Sequence, residues 1–236
     1  MEKIILIVKN ISEEGPGLLE LLLKERNIKY QIADLDQGHS FPAVDTYAAV
    51  VVLGGPDSAN DVNDKMDNQL ARISETVAKN IPYLGICLGL QVLVKAVGGL
   101  VIKSRTKEIG FVDPDGDNFT VELTEEGKKD QLFEGLNHSF IVFHLHGETV
   151  ELIDDIMLLA IGKFCRNQIV KVGANAYGIQ CHFELTPEMF EIWINEDKDL
   201  LQLDKEILRA NFETIKAEYT KVGRQLFGNF LTIAGF

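Results

Sequence analysis

The chain has 236 residues, 46% of them hydrophobic and 25% charged, with a formal net charge of −13 at pH 7. That length supports one large domain with a well-buried core, or two small ones. The acidic balance works against binding phosphate backbones, so no nucleic-acid partner is expected. No apolar run approaches the roughly 20 residues needed to span a bilayer, so no membrane partner is expected either. The start, "MEKIILIVKN", is too quickly polar for a signal peptide and reads as a first buried strand. Cys87, Cys165 and Cys181 are an odd number without CxxC spacing, which fits a reducing, cytoplasmic setting and argues against disulfides or a cysteine zinc site.

Short apolar runs alternate with helix-period segments, which predicts an α/β fold with a mostly parallel central sheet flanked by helices. "KIILIV" (3–8) and "KYQIAD" (29–34) read as strands around a helix at 15–26 opened by Pro16. "YAAVVVL" (47–53) is a buried strand running into "GGPDS". Met66, Leu70, Ile73 and Val77 mark a helix over 64–79. "PYLGI" (82–86) is the next strand, followed by a helical stripe of Leu90, Leu93, Val94 and Val97 that stops at Gly98-Gly99. From about 100 to 185 come shorter pieces, "LVIK", "NFTVEL", "SFIVFHLH", "IMLLAIG", "NQIVKVG" and "AYGIQCHF", a small antiparallel β portion divided by turns. After Pro187 the chain reads as helical to its end, with "NEDKD" (195–199) on a solvated helix face. With no repeat or flexible linker, a single domain over 1–236 is expected, a core of 1–186 and a helical extension of 187–236.

Three short motifs carry chemistry. Gly85-Ile86-Cys87-Leu88-Gly89 stands where a strand gives way to a helix. Glycines two positions either side of a nucleophile let backbone approach a strained strand-to-helix turn, and the helix start supplies free N–H groups. A buried cysteine beside a Gly-rich turn is an equal reading of that motif alone. In "YGIQCHFELTP" (177–187), side-chain alternation puts His182 and Glu184 on one side of an extended segment, so the carboxylate can fix the imidazole tautomer; for that motif alone, a partly buried histidine with an incidental acidic neighbour is the commoner reading. "VVVLGGPDS" (50–58) ends a strand in a tight loop whose Gly55 amide can pair with that of Leu88 around an oxyanion, an ordinary Gly-Pro turn being an equal reading of that motif alone. His144 and His146 could be two ligands on one strand face, but no third ligand with metal-site spacing is evident, and no metal or other cofactor is expected. Glu108 reads equally as a pocket residue or an exposed charge at a strand end. His39 and His138 read as surface residues and Cys165 as a small core residue.

"GGPDS", "GICLGLQ" and "GIQCHFE", in that order, resemble the class I glutamine amidotransferases of the Cys-His-Glu type. "KEIGF" (107–111), "VFHLHGETVEL" (142–152), "LTPEMFEIW" (185–193) and "RQLFGNFL" (224–231) are similar to a stand-alone branch related to the amidotransferase domain of GMP synthase. The resemblance implies a flavodoxin-like core. It implies Cys87 as nucleophile, His182 as base and Glu184 as its orienting group, with Gly55 and Leu88 as oxyanion donors. It further implies that Gly54, Gln91, Leu145 and His146 contact glutamine or a γ-glutamyl compound. Two versions of the activity follow: ammonia delivered to a separate synthetase subunit, or γ-glutamyl hydrolysis by the chain alone. A non-catalytic regulatory protein on the same scaffold is the reading from another class. The chain departs from the family at Cys181 and Phe183, where phenylalanine and proline are usual, and at Leu145, where a small or aromatic residue is usual.

Overall fold

The computed structural model describes residues 3–236. The strands are β1 (Ile4–Lys9), β2 (Lys29–Asp34), β3 (Ala49–Val52), β4 (Tyr83–Ile86), β5 (Leu100–Gly110), β6 (Thr120–Leu123), β7 (Ser139–Ile141), β8 (His144–Glu151), β9 (Ile156–Gly162), β10 (Asn167–Val172) and β11 (Ala176–Ile179). The helices are α1 (Gly17–Glu25), α2 (Asp64–Ala78), α3 (Leu88–Ala96), α4 (Pro187–Glu196) and α5 (Lys205–Ile233). Nine strands form one sheet in the order β2-β1-β3-β4-β11-β10-β9-β6-β7. The β2-to-β11 half is parallel, and the rest is antiparallel. The antiparallel strands expected from 100 to 185 thus mostly extend the main sheet, while β5 and β8 make a separate two-stranded one.

The central strands are apolar throughout because both faces are covered. Along β1, Ile5 and Ile7 enter a core shared with α1, α4 and α5, while Leu6 and Val8 enter a second core under α2 and α3. This is the period-2 alternation of a strand with no solvent face. Each such side chain taken fully out of water contributes about 1.5–3 kcal/mol before entropy is counted. Local signals set the helix ends. The Asn63 side chain accepts the Met66 N–H at 2.8 Å, and Thr186 caps α4 ahead of Pro187 at its first position.

Two sequence expectations shift. "SFIVFHLH" is not one strand: β7 stays in the large sheet, and the chain leaves it at Phe143, which bridges to His182, before β8 pairs with β5. "NEDKD" is not a helix face but a helix break. The Asp197 carboxylate accepts the N–H groups of Asp199 and Leu200, and Asp204 starts α5 by accepting those of Glu206 and Ile207. Short acidic side chains compete with the helix for backbone donors in this way.

The C-terminal helices are fastened to the segment after β11. Phe190 of α4 and Phe212 and Tyr219 of α5 surround Phe111, with ring centroids 5.4 to 5.9 Å away. Buried Tyr219 donates its hydroxyl to the His182 carbonyl at 3.0 Å and accepts the Leu185 N–H at 3.4 Å. Replacing Tyr219→Phe leaves both backbone groups without this partner, which costs about 1–3 kcal/mol. Chemical denaturation is expected to show a lower midpoint with an unchanged slope.

Candidate active site

The turn from β4 into α3 is built by crowding. A Cβ on Gly85 would lie 2.4 Å from the Gly89 backbone, and one on Gly89 would lie 2.2 Å from the Val52 carbonyl oxygen. Only glycine fits at either position. Tyr83, fully buried, ties the turn down by donating its hydroxyl to the Gly89 carbonyl at 2.8 Å. Between the glycines Cys87 is held at φ +50°, ψ −104°, a left-handed conformation that costs a non-glycine residue about 1–3 kcal/mol. Its N–H is bonded to the Ile179 carbonyl at 2.7 Å, which joins the turn to the end of β11. Leu88 is the first residue of α3, so its N–H belongs to the turn that lacks intrahelical acceptors.

His182 comes to the same place from the extended segment after β11. A Cβ on Gly54 would stand 2.4 Å from Glu14 Oε2, 3.3 Å from His182 Cε1 and 3.5 Å from Cys87 Cβ. Three chemically active side chains therefore converge over one missing methyl. His182 Nδ1 donates to Glu184 Oε1 at 2.6 Å, as the alternation of the segment predicts. Phe183, standing where proline is usual, donates its N–H to Glu184 Oε2 at 2.9 Å. Proline has no N–H to give, so this departure adds an anchor to the carboxylate. Trp193 lies edge-on to the imidazole, with centroids 5.1 Å apart.

Burial alone would lower the His182 pKa, but the Glu184 carboxylate and the Cys87 sulfur override it and leave the imidazole well above its ordinary value. Nε2 has no hydrogen-bond partner among the described residues; catalytic contacts of this kind often tighten only with substrate bound. Gln180 donates its side-chain amide to Cys87 Sγ at 3.6 Å, and the Leu145 carbonyl oxygen is 3.9 Å from the same sulfur. His144 lies well below its ordinary value through burial, with His146 and His182 adding to the effect.

Cys87, His182, Gly55, Gln91, Leu145 and His146 share the wall of one cavity of about 590 Å³. Gly54 lies against Cys87 and His182, and a Cβ on Gly55 would meet Asn10 at 2.6 Å. Gln91 is buried, with its amide turned to the Glu148 carbonyl at 3.3 Å and to Gln180 at 3.4 Å. Sequence reasoning missed Glu14, Gln180 and the position of Glu108. Glu108 is not an exposed charge but is buried beside His146. No short motif announces these contacts, because each joins segments far apart in the chain.

Glu14 is partly exposed as a residue, yet its Oε2 is shielded and has no hydrogen-bond partner among the described residues. Burial, chiefly, pushes its pKa from 4.5 up to about 7; His182 works against the shift and Glu184 with it. The folded state therefore holds this proton more tightly than the unfolded chain between those values. Stability from this group is greatest below about pH 4.5 and falls as pH rises through about 7. The loss is on the order of 3 kcal/mol when complete. Melting curves of Glu14→Gln are expected to rise above those of the parent protein at alkaline pH, and to converge with them in acid.

With this geometry in hand, comparison with known proteins is direct. The family model described as "Glutamine amidotransferase class-I" matches residues 18–198. A putative glutamine amidotransferase-like protein, YfeJ of Salmonella typhimurium, is 31% identical over 202 residues, 82% of each chain. A glutamine-hydrolysing GMP synthase subunit of Saccharolobus solfataricus is 29% identical over 182 residues, 74% of this chain and 89% of that protein. The chain matches only 25% of the length of the GMP synthase of Borrelia garinii, at 32% identity and over 61% of its own length. The crystal structure of a glutamine amidotransferase from Thermotoga maritima superimposes with a TM-score of 0.86 at 26% identity, covering 98% of both chains. By motif order, fold and sequence match, the chain belongs to the class I glutamine amidotransferase family.

Proposed function

We propose that the chain hydrolyses the γ-carboxamide of glutamine through a thioester on Cys87. The observation that carries this reading is the convergence of Cys87 and His182 over Gly54 in a shared cavity. In the first step the Cys87 thiolate attacks the amide carbon, and the carbonyl oxygen takes the negative charge. The N–H groups of Gly55 and Leu88 receive that charge. The His182 imidazolium gives its proton to the nitrogen as the carbon–nitrogen bond breaks, releasing ammonia. Glu184 holds the ring in the tautomer that presents Nε2 and stabilises its positive form. Water, deprotonated by His182, then cleaves the thioester to glutamate and restores the thiolate. Ionised Glu14 favours the imidazolium and so supports the proton-donating form.

The ammonia goes to an acceptor on a separate synthetase chain. The similarity to a glutamine-hydrolysing subunit of GMP synthase supports that reading. A second reading, γ-glutamyl hydrolysis by the chain alone, is favoured by room adjoining the cavity that Cys87 lines. A further cavity of about 390 Å³ shares Glu14, Leu145 and Asp197 with the first, enough to seat a group larger than an amide. Ammonia release from glutamine, set against cleavage of γ-glutamyl dipeptides, separates the two.

A glutamine-analogue electrophile followed by mass-spectrometric mapping tests the common core. The expected adduct is confined to Cys87, is prevented by excess glutamine and forms more slowly by about 100-fold or more in His182→Ala. Equal labelling of Cys87, Cys165 and Cys181 refutes the assignment.

A further inference from the structure

Behind the substrate edge, Glu108 of β5 and His144 and His146 of β8 bring one donor atom each to a common point. Glu108 Oε2 is 2.9 Å from His146 Nε2 and 3.9 Å from His144 Nδ1, and the two imidazole nitrogens are 3.2 Å apart. All three residues are buried, at 1%, 1% and 5% exposure. The i,i+2 spacing puts both histidines on one face of β8, and the register sets Glu108 directly across from His146. A break in the β5–β8 register between Lys103 and Glu108 immediately precedes this pair; irregularities of this kind re-aim a side chain.

From these contacts we infer that Glu108, His144 and His146 form a binding site for a divalent first-row transition metal ion. His146 Nδ1 faces the Glu148 carbonyl at 3.0 Å. A carbonyl only accepts, so Nδ1 carries the proton and Nε2 is left to the cluster. A single proton there bridges one pair of the three atoms; a cation satisfies all three together. Donors sharing one ion tetrahedrally at metal–ligand distances of about 2.0–2.2 Å stand roughly 3.3–3.6 Å apart, and the observed separations of 2.9, 3.2 and 3.9 Å bracket that range. Two imidazoles with one carboxylate select a transition ion over calcium or magnesium, which take oxygen ligands.

The surroundings match the second layer of a metal site. The Glu148 carbonyl fixes the His146 tautomer, while the Gln168 amide and the Cys165 N–H each approach the Glu108 carboxylate at 3.4 Å. His146 also borders the cavity that holds Cys87, which gives the ion a route in. Bound there, the ion ties the Leu145 edge to β5 and stiffens the wall facing the sulfur.

The test is Zn²⁺ uptake by the full chain after chelator treatment, read by calorimetry and elemental analysis, with Co²⁺ absorption as a second probe. The parent protein is expected to take up about one equivalent, and Glu108→Gln and His144→Gln to weaken uptake about tenfold or more. Because Cys87 and His182 could themselves capture zinc, Cys87→Ala is the control and is expected to keep the full equivalent. The Co²⁺ form is expected to show visible ligand-field bands without a thiolate charge-transfer band. No uptake by the folded parent protein overturns the site, as does uptake that survives both cluster substitutions or is lost in Cys87→Ala.

Discussion

Backbone pressed on backbone is the constraint from which the rest of the site follows. Gly89 approaches the Val52 carbonyl so closely that no Cβ fits, and Gly85 is wedged against Gly89 in the same way. With α3 pushed this near to β3 and β4, the linking residue has no ordinary conformation open to it. Cys87 takes the left-handed one, and although it is buried against the core it lines the cavity at the sheet's carboxyl edge. The energy stored there is small beside the burial of β3 and β4 on both faces, so the fold holds it without difficulty.

That edge is shared. β4 pairs with β3 on one side and with β11 on the other, so the loops after these three strands meet by construction. This is where open parallel sheets gather their ligands. The Gly54 loop, the Cys87 turn and the His182 segment need no long-range coincidence to find one another once the strand order is set. The C-terminal helices then close the arrangement from behind. Tyr219 holds the His182 carbonyl, and Trp193 lies edge-on beside that histidine's ring. The extension is part of how the imidazole is positioned, not an appendage.

Features set by neighbours in sequence are legible in the sequence itself. The glycine spacing about Cys87 and the alternation that joins His182 to Glu184 both act within a few residues. The strand and helix order also came through, because two-sided burial writes uninterrupted apolar runs. What could not be read depends on closure of the fold. Glu108 becomes a buried partner of His146 only because β5 and β8 pair across a shifted register. Glu14 reaches Gly54 only because β1 and β3 lie side by side. The acidic "NEDKD" stretch misled for a different reason: its composition suits a wet helix face, but Asp197 spends its side chain on backbone donors.

The edge-on ring beside His182 has one more implication. Trp193 is the molecule's single tryptophan, and its indole nitrogen is buried without a hydrogen-bond partner among the described residues. Tryptophan emission, excited beyond the tyrosine absorption band, thus originates 5.1 Å, centroid to centroid, from the imidazole. A charged imidazole quenches indole emission far more than a neutral one does. Brightness of the unlabelled protein becomes a continuous optical readout of whether that ring carries a proton, before and after a ligand arrives.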